Sequence, residues 1–326
     1  MKQNILITGG AGFIGSHLVD KLINSPSETL HDIIVIDNFS SGSIQFINKH
    51  FNNKNFKFIE GDLLDFNLLK KVCQTYNIDF VYHLAANPEV RIGSVDTKTH
   101  FEQNIVATYN LLEAMRLNGI KNIAFTSTST VYGEAKVIPT PEDYGPLIPI
   151  SLYGASKLAC EALITSYSHT FDIKSWIFRF ANIVGSRSNH GIIIDFIHKL
   201  QKNPNKLEIL GNGLQRKSYL LVDDCIDAFI YAVKNSKESV NIFNIGSEDT
   251  ITSTEIGKIV VEEMNLKDVE FTYTGGNRGW IGDVPKMSLS IKKIKKLGWK
   301  PKYNSEESIR NAIRALVSGL SLFAKV

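Results

Sequence analysis

Short apolar runs alternate with stretches of helical spacing through the first half of the chain. Ile5-Leu6-Ile7 reads as a buried strand, and Leu18, Val19, Leu22 and Ile23 follow it at helical spacing. Asp32 to Ile36 is a second strand ending at Asp37, and Phe56 to Ile59 a third, followed by Gly61-Asp62-Leu63. A helix is expected over Phe66 to Tyr76, and a fourth strand over Phe80 to Leu84. A longer helix over Phe101 to Leu117 brings Ile105, Tyr109, Leu112 and Met115 near one face. Asn122 to Thr126 is a fifth strand, Tyr153 to Phe171 a helix, and Ser175 to Phe180 a sixth strand. Repeated strand–helix units imply an α/β fold: a doubly wound parallel sheet with helices on both faces.

The pattern then loosens. Helices are expected over Gly191 to Gln201, Asp223 to Lys234 and Ser253 to Met264, the last capped by Thr252 or Ser253. Strands are expected at Leu207 to Leu210 and Asn241 to Ile245, and helix again from Ser305 onward. Residues 1–180 therefore read as one domain, with a segment near 220–250 returning to it, and 181–326 mainly as a smaller α/β substrate-binding part. That part is expected at the C-terminal end of the strands, where a cleft would hold the substrate.

Composition changes this picture little. The 326 residues are 43% hydrophobic and 21% charged, as in ordinary globular proteins. The net charge of +3 is too weak to suggest a nucleic-acid partner, and no Lys/Arg patch interleaves with aromatics. Cys73, Cys160 and Cys225 lie far apart and form neither a disulfide framework nor a metal-ligand pattern. A reducing, cytoplasmic setting is expected, with no signal peptide and no membrane-spanning run.

Between the first strand and the first helix stand Gly9, Gly12 and Gly15, three apart. Strand, glycine turn, helix is the Rossmann-type arrangement that receives a dinucleotide. The first glycine makes the turn, the second admits the pyrophosphate to the backbone, and the third lets helix and strand pack closely. Asp37 ends the second strand 22 residues after Gly15. A carboxylate there accepts hydrogen bonds from the adenosine ribose and repels a 2′-phosphate, which favours NAD over NADP. Asp62 after the third strand suits either the adenine amino group or a plain turn. Ala85 and Ala86 leave room at the end of the fourth strand, for a ligand or for a tight strand end.

Candidate chemistry lies further on. Tyr153 and Lys157 in YGASK share one helix face. A nearby ammonium is expected to lower the phenol's pKa from about 10, giving a general base. Phe125 to Gly133 (FTSTSTVYG) is a strand running into a hydroxyl-rich turn, where Thr128 can bond both a substrate hydroxyl and the Tyr153 phenol.

With these motifs in order, the chain resembles the extended short-chain dehydrogenase/reductase family, and within it the UDP-glucose and UDP-N-acetylglucosamine 4-epimerases. GGAGFIGS, DNFSSG, GDLLD, HLAANPEVR, STSTVYGE, YGASK, FRFANIVG, YLLVDDC, FNIGS and GDVP all occur in family order, nearly end to end. The resemblance implies that Gly9, Gly12, Phe13 and Ile14 line the pyrophosphate, Asp37 and Asn38 hold the ribose, and Asp62 and Leu63 hold the adenine. Leu84, Ala85, Ala86 and Asn104 would complete the cofactor channel, and Lys157 would also bind the nicotinamide ribose. Thr128, Tyr153 and Lys157 match the catalytic set, and Asn182 the asparagine at the sugar diphosphate. A homodimer through the helices from about Phe101 and Tyr153 is implied in the same way.

Two positions depart from the family. Its dehydratases carry an Asp-Glu pair just after the catalytic threonine, where this chain has Ser129 and Thr130, which argues against dehydration. Trp280 stands where an arginine usually grips the diphosphate, leaving Arg216, Lys217 and Arg278 as candidate cations. Met287 matches a gate residue beside the sugar's 2-substituent, and its adaptable side chain implies that an N-acetyl group is tolerated. The expected activity is NAD-dependent 4-epimerisation of UDP-hexoses. The alternatives are a C4-reductase, a UDP-glucuronate decarboxylase, and a non-catalytic NAD-binding regulator.

Overall fold

The computed structural model describes residues 2–25 and 31–323. In chain order the first elements are β1 (Asn4–Thr8), α1 (Phe13–Ile23), β2 (Asp32–Asp37), β3 (Phe56–Glu60), α2 (Phe66–Tyr76) and β4 (Phe80–His83). They are followed by α3 (Thr97–His100), α4 (Ala107–Leu117), β5 (Asn122–Thr128), α5 (Leu152–Phe171) and β6 (Lys174–Phe180). The remainder comprises β7 (Asn182–Val184), α6 (Ile192–Lys202), β8 (Lys206–Ile209), β9 (Arg216–Lys217), β10 (Tyr219–Leu221), α7 (Val222–Asn235) and β11 (Val240–Ile245). Last come β12 (Ile251–Thr252), α8 (Ser253–Glu263), β13 (Glu270–Tyr273), β14 (Lys286–Met287), α9 (Lys292–Leu297) and α10 (Ser305–Phe323).

Seven strands form one parallel sheet in the order β3-β2-β1-β4-β5-β6-β11. The chain starts in the middle, adds β2 and β3 on one side, then crosses back to place β4 against β1. At such a reversal the two crossovers leave opposite faces, so a crevice opens beyond the C-terminal ends of β1 and β4. The glycine turn follows β1 and Leu84-Ala85 follow β4, so both lie at that crevice. Leu6, Ile34, Val81, Ile123 and Ile177 pack one sheet face against Leu111, Leu112 and Met115 of α4 and Ile164 of α5.

Two expectations are corrected. The helix read as Phe101 to Leu117 begins at Thr97, where Asp96 accepts from the Lys98 and Thr99 N–H groups, and residues Phe101–Val106 form a π-helical turn. The fifth strand runs to Thr128, because Thr126, Ser127 and Thr128 are buried as sheet residues before a 3₁₀ turn over Ser129–Tyr132. Part of the hydroxyl-rich turn read within Phe125 to Gly133 is thus strand.

The chain divides into two compact units. One comprises residues 1–131, 152–179 and 232–243, and the other 132–151, 180–231 and 244–326. The second has its own core, in which Phe196 and Ile197 of α6, Ile256 and Val260 of α8, and Ile309 and Ile313 of α10 close over Leu207 and Ile209. Its strands are two to four residues long and sit in small sheets: β10-β7, β12-β9-β14 and β13-β8. Thr252 and Glu255 cap α8 reciprocally in a capping box. Among the described residues, no helix is long and apolar enough to cross a membrane.

Candidate active site

The glycine turn is built by close approach. Gly9 has φ +71°, and a Cβ on it would lie 2.6 Å from the Ala85 nitrogen. A Cβ on Gly15 would lie 2.1 Å from the Gly9 carbonyl oxygen, so only glycine lets α1 start here. Gly12 is the N-cap of α1 and no side chain caps it, which leaves the helix start, with Phe13 and Ile14, suited to an anion. Asp37 is buried beside the turn. Its carboxylate accepts from Ala11 N–H at 2.9 Å and Phe39 N–H at 2.8 Å. Burial pushes its pKa up, against those two donors.

Asp62 is brought to Asn38, whose Nδ2 donates to it at 2.8 Å, and it also accepts from Leu64 N–H at 2.8 Å. Leu63 is buried, and its carbonyl accepts from Asn110 Nδ2 at 3.0 Å. Asn104 lies in the π turn, a widened turn common at functional sites. Its Oδ1 accepts from Asn87 N–H at 2.8 Å and its Nδ2 donates to Ser156 Oγ at 2.8 Å. The loop after Ala86 is thereby tied to α5.

Thr128 and Tyr153 come together, close enough for the threonine hydroxyl to pull the phenol's pKa down against burial. The Thr128 oxygen also accepts from the N–H and the hydroxyl of Thr130, both at 3.2 Å. With its acceptor sites so used, Thr128 has its proton free to donate to the phenol oxygen. Lys157 is buried and turned to the sheet, donating to the Thr126 carbonyl at 2.9 Å with its ammonium 4.7 Å from the Phe125 ring centre. The expected lowering of the phenol's pKa is not found in the chain by itself. Burial pushes Tyr153 up to about 12, opposed by the Thr128 hydrogen bond, and pushes Lys157 down to about 8.

The sequence reading missed the groups that hold this arrangement. Glu161 stands one turn beyond Lys157 on α5. It accepts from Ser127 Oγ at 2.5 Å and from both Nε (3.0 Å) and Nη2 (2.7 Å) of Arg179 on β6. The pair is almost fully buried, with side chains 4% and 5% exposed. Two charges on core-facing positions, Arg179 in the apolar strand KSWIFRF among them, were the available signal.

In the second unit, adjacent residues of β9 point to opposite faces, so Arg216 and Lys217 diverge. Arg216 donates to the Thr250 carbonyl at 3.0 Å and faces Glu255. Lys217 donates to Asp283 Oδ1 at 2.6 Å, with its ammonium 5.1 Å from the Trp280 ring centre. Arg278 donates to the Asp283 carbonyl at 2.6 Å and to Glu134 at 2.8 Å. Lys217, Arg278 and Trp280 thus gather around buried Asp283, and Arg216 does not. Met287 pairs with Lys217 across β14 and β9. Asn182 donates through Nδ2 to the Ser218 carbonyl at 3.1 Å.

The model of the NAD dependent epimerase/dehydratase family matches residues 5–246. The chain belongs to that family. A solved UDP-galactose 4-epimerase is 40% identical with a TM-score of 0.85, covering 98% of this chain and 100% of that one. The UDP-glucose 4-epimerase of Thermotoga maritima, solved with UDP-glucose, is 33% identical with a TM-score of 0.86 and the same coverage. The dTDP-D-glucose 4,6-dehydratase of Mus musculus is 29% identical over 317 residues, 95% of this chain and 88% of the relative. The family is NAD-dependent, and the residues here fit the cofactor: a glycine cradle that a Cβ would fill, a helix start without a side-chain cap, and buried Asp37 beside it.

Proposed function

We propose that this enzyme is a UDP-hexose 4-epimerase. The observation that carries the reading is the Tyr153 phenol, brought beside Thr128 and one helical turn from Lys157 on α5. Gly9, Gly12, Phe13, Ile14 and Gly15 would hold the NAD pyrophosphate, Asp37 and Asn38 the adenosine ribose, and Asp62 and Leu63 the adenine. Leu84, Ala85, Ala86 and Asn104 would line the channel, and Lys157 would reach the nicotinamide ribose. When bound, NAD supplies reversible hydride acceptance at carbon 4 of the sugar, and a positive charge.

The chain's own residues manage the proton. Tyr153, as phenolate, takes the proton of the sugar 4-hydroxyl and later returns it to the same oxygen. Thr128 donates to the tyrosine oxygen and so favours the phenolate. The Lys157 ammonium, still mostly protonated at pH 7 with a pKa of about 8, acts in the same direction. The sugar turns over between proton removal and return, while Asn182, Lys217 and Arg278 grip the diphosphate.

Epimerisation is favoured over dehydration because Thr130, at a position where dehydratases carry a carboxylate, gives its hydroxyl to Thr128. Purified protein with UDP-glucose, UDP-galactose and their N-acetylated forms, without added reductant, should interconvert each pair. If none interconverts, the reading fails. Tyr153→Phe should lose about 10²- to 10⁴-fold in kcat while still binding NAD. Met287 should tolerate the N-acetyl group, and a UDP-N-acetylglucosamine rate thousands of times below that of UDP-glucose, roughly 4 kcal/mol in barrier, would refute this. A homodimer through the helices from about Phe101 and Tyr153, the first of which exposes Phe101 and Tyr109, is part of the proposal, and sedimentation at micromolar concentration tests it.

A further inference from the structure

His83 ends β4 with no exposed surface, in a strand where every other residue is apolar or aromatic. Its Nδ1 lies 2.8 Å from the Thr8 hydroxyl, at the end of β1. Its Nε2 lies 2.9 Å from the Thr108 hydroxyl, on α4. The ring packs against Phe125 at 5.4 Å, and the Lys157 ammonium lies over that same phenylalanine. Thr8 and Thr108 are themselves buried. The imidazole therefore bridges the two strands that border the crevice and the helix behind them.

The protons can be followed along this chain. The Ala85 N–H points at the Thr8 oxygen at 3.3 Å, so that oxygen is already an acceptor. The Thr8 proton is then best used on His83 Nδ1, which must be bare, and His83 Nε2–H donates to Thr108. The opposite tautomer would aim two donors at Thr8 and leave its own proton with no acceptor in the network. Burial, with Lys157 nearby, holds the imidazole far below its ordinary pKa, to about 3, so it stays neutral, and the hydrogen bonds to its two nitrogens choose the tautomer. Thr8 immediately precedes Gly9, and the space for a Cβ on Gly9 is closed by Ala85. The distance between the glycine turn and Ala85 is set by two bonds to Thr8, from Leu84 N–H to its carbonyl at 3.1 Å and from Ala85 N–H to its hydroxyl oxygen, and the second depends on where that hydroxyl is held.

We propose that His83 is a positioning residue for NAD: by accepting the Thr8 hydroxyl it aims the Thr8 oxygen at Ala85 and sets the width of the slot between the Gly9 turn and the end of β4. The assignment rests on the cofactor channel proposed above. The side-chain amide of asparagine reproduces the Nδ1 position of histidine, glutamine reproduces Nε2, and leucine neither. The NAD dissociation constant of the full chain should therefore stay within about three-fold of wild type in His83→Asn. It should rise about ten-fold or more in His83→Gln and His83→Leu, about one lost hydrogen bond in the slot. Thr8→Ser should bind NAD like wild type and Thr8→Val should bind it weakly, which repeats the test without touching the histidine. In ¹⁵N spectra of the labelled wild-type chain, His83 should show a bare Nδ1 and a protonated Nε2.

Affinity that merely follows the thermal midpoint across these variants makes the role structural and overturns the proposal. So does the opposite tautomer. A wild-type chain that binds no NAD overturns the channel reading and this proposal together, whereas unchanged affinity in His83→Leu and Thr8→Val overturns the proposal alone.

Discussion

The two units of this enzyme handle charge differently. In the sheet unit, three ionic groups are sunk into the core: Glu161 and Arg179 are sealed beneath α5, and Lys157 is held by a carbonyl and an aromatic face. In the second unit, Lys217, Arg278 and Arg216 stay partly exposed, and they pair with Asp283 and Glu134 in loops and with Glu255 in the first turn of α8. A proton-transfer group must keep one geometry through every turnover, and burial within rigid elements provides that. Under the proposed function, Lys217 and Arg278 would have to leave protein partners to accept a diphosphate, and the more solvated Arg278–Glu134 pair is weak enough to exchange.

This contrast can be broken or sharpened by experiment. The largest effect should follow from Arg179→Leu, which leaves the Glu161 charge buried alone and should cost about 3–5 kcal/mol in chemical denaturation. Glu161→Met combined with Arg179→Met should lose far less, because an apolar pair avoids the desolvation cost. Equal losses in the single and double variants would mean that the buried pair is not what sets the cost.

Next comes Lys157. Its pKa is about 8 in the folded chain, against an ordinary value of 10.5. Below pH 8 the ammonium is charged in both states, and its burial penalty is fully present. Between pH 8 and about 10.5 the folded chain releases its proton first, so stability should rise with pH. Wild type should gain roughly 3 kcal/mol over that window relative to Lys157→Met. A pH-independent difference between the two would place Lys157 in a wetter site than the structure shows.

The smallest effects belong to the second unit. Lys217→Ala and Arg278→Ala should each raise the KM for a UDP-sugar about ten-fold, the worth of a charge-assisted hydrogen bond, with little change in thermal midpoint. Arg216→Ala should leave KM unchanged. If Arg216→Ala is the damaging variant, the choice made between the faces of β9 is wrong.

What could be read from the chain follows the same division. Periodicity located the first six strands of the sheet and the helices between them to within a few residues, because each buries a long continuous face. The two- and three-residue strands β7, β9, β10, β12 and β14 were missed, since so few residues carry no period and their pairing partners are distant in sequence. The glycine turn was legible because its chemistry is local: three glycines, one strand and one helix meet within twelve residues.

The sequence by itself determined the family, the cofactor and the candidate trio of Thr128, Tyr153 and Lys157, whose spacing is a property of one helix and one strand end. Only the tertiary structure decided how those groups are held. It paired Glu161 with Arg179, turned Lys157 to the Thr126 carbonyl, gave Thr130 to Thr128, and set His83 between Thr8 and Thr108. It also separated Lys217 and Arg278 from Arg216. The reason is burial: all of these contacts but the one between Thr130 and Thr128 join residues far apart in sequence, and what each does to a charge or a proton depends on the water that packing removes.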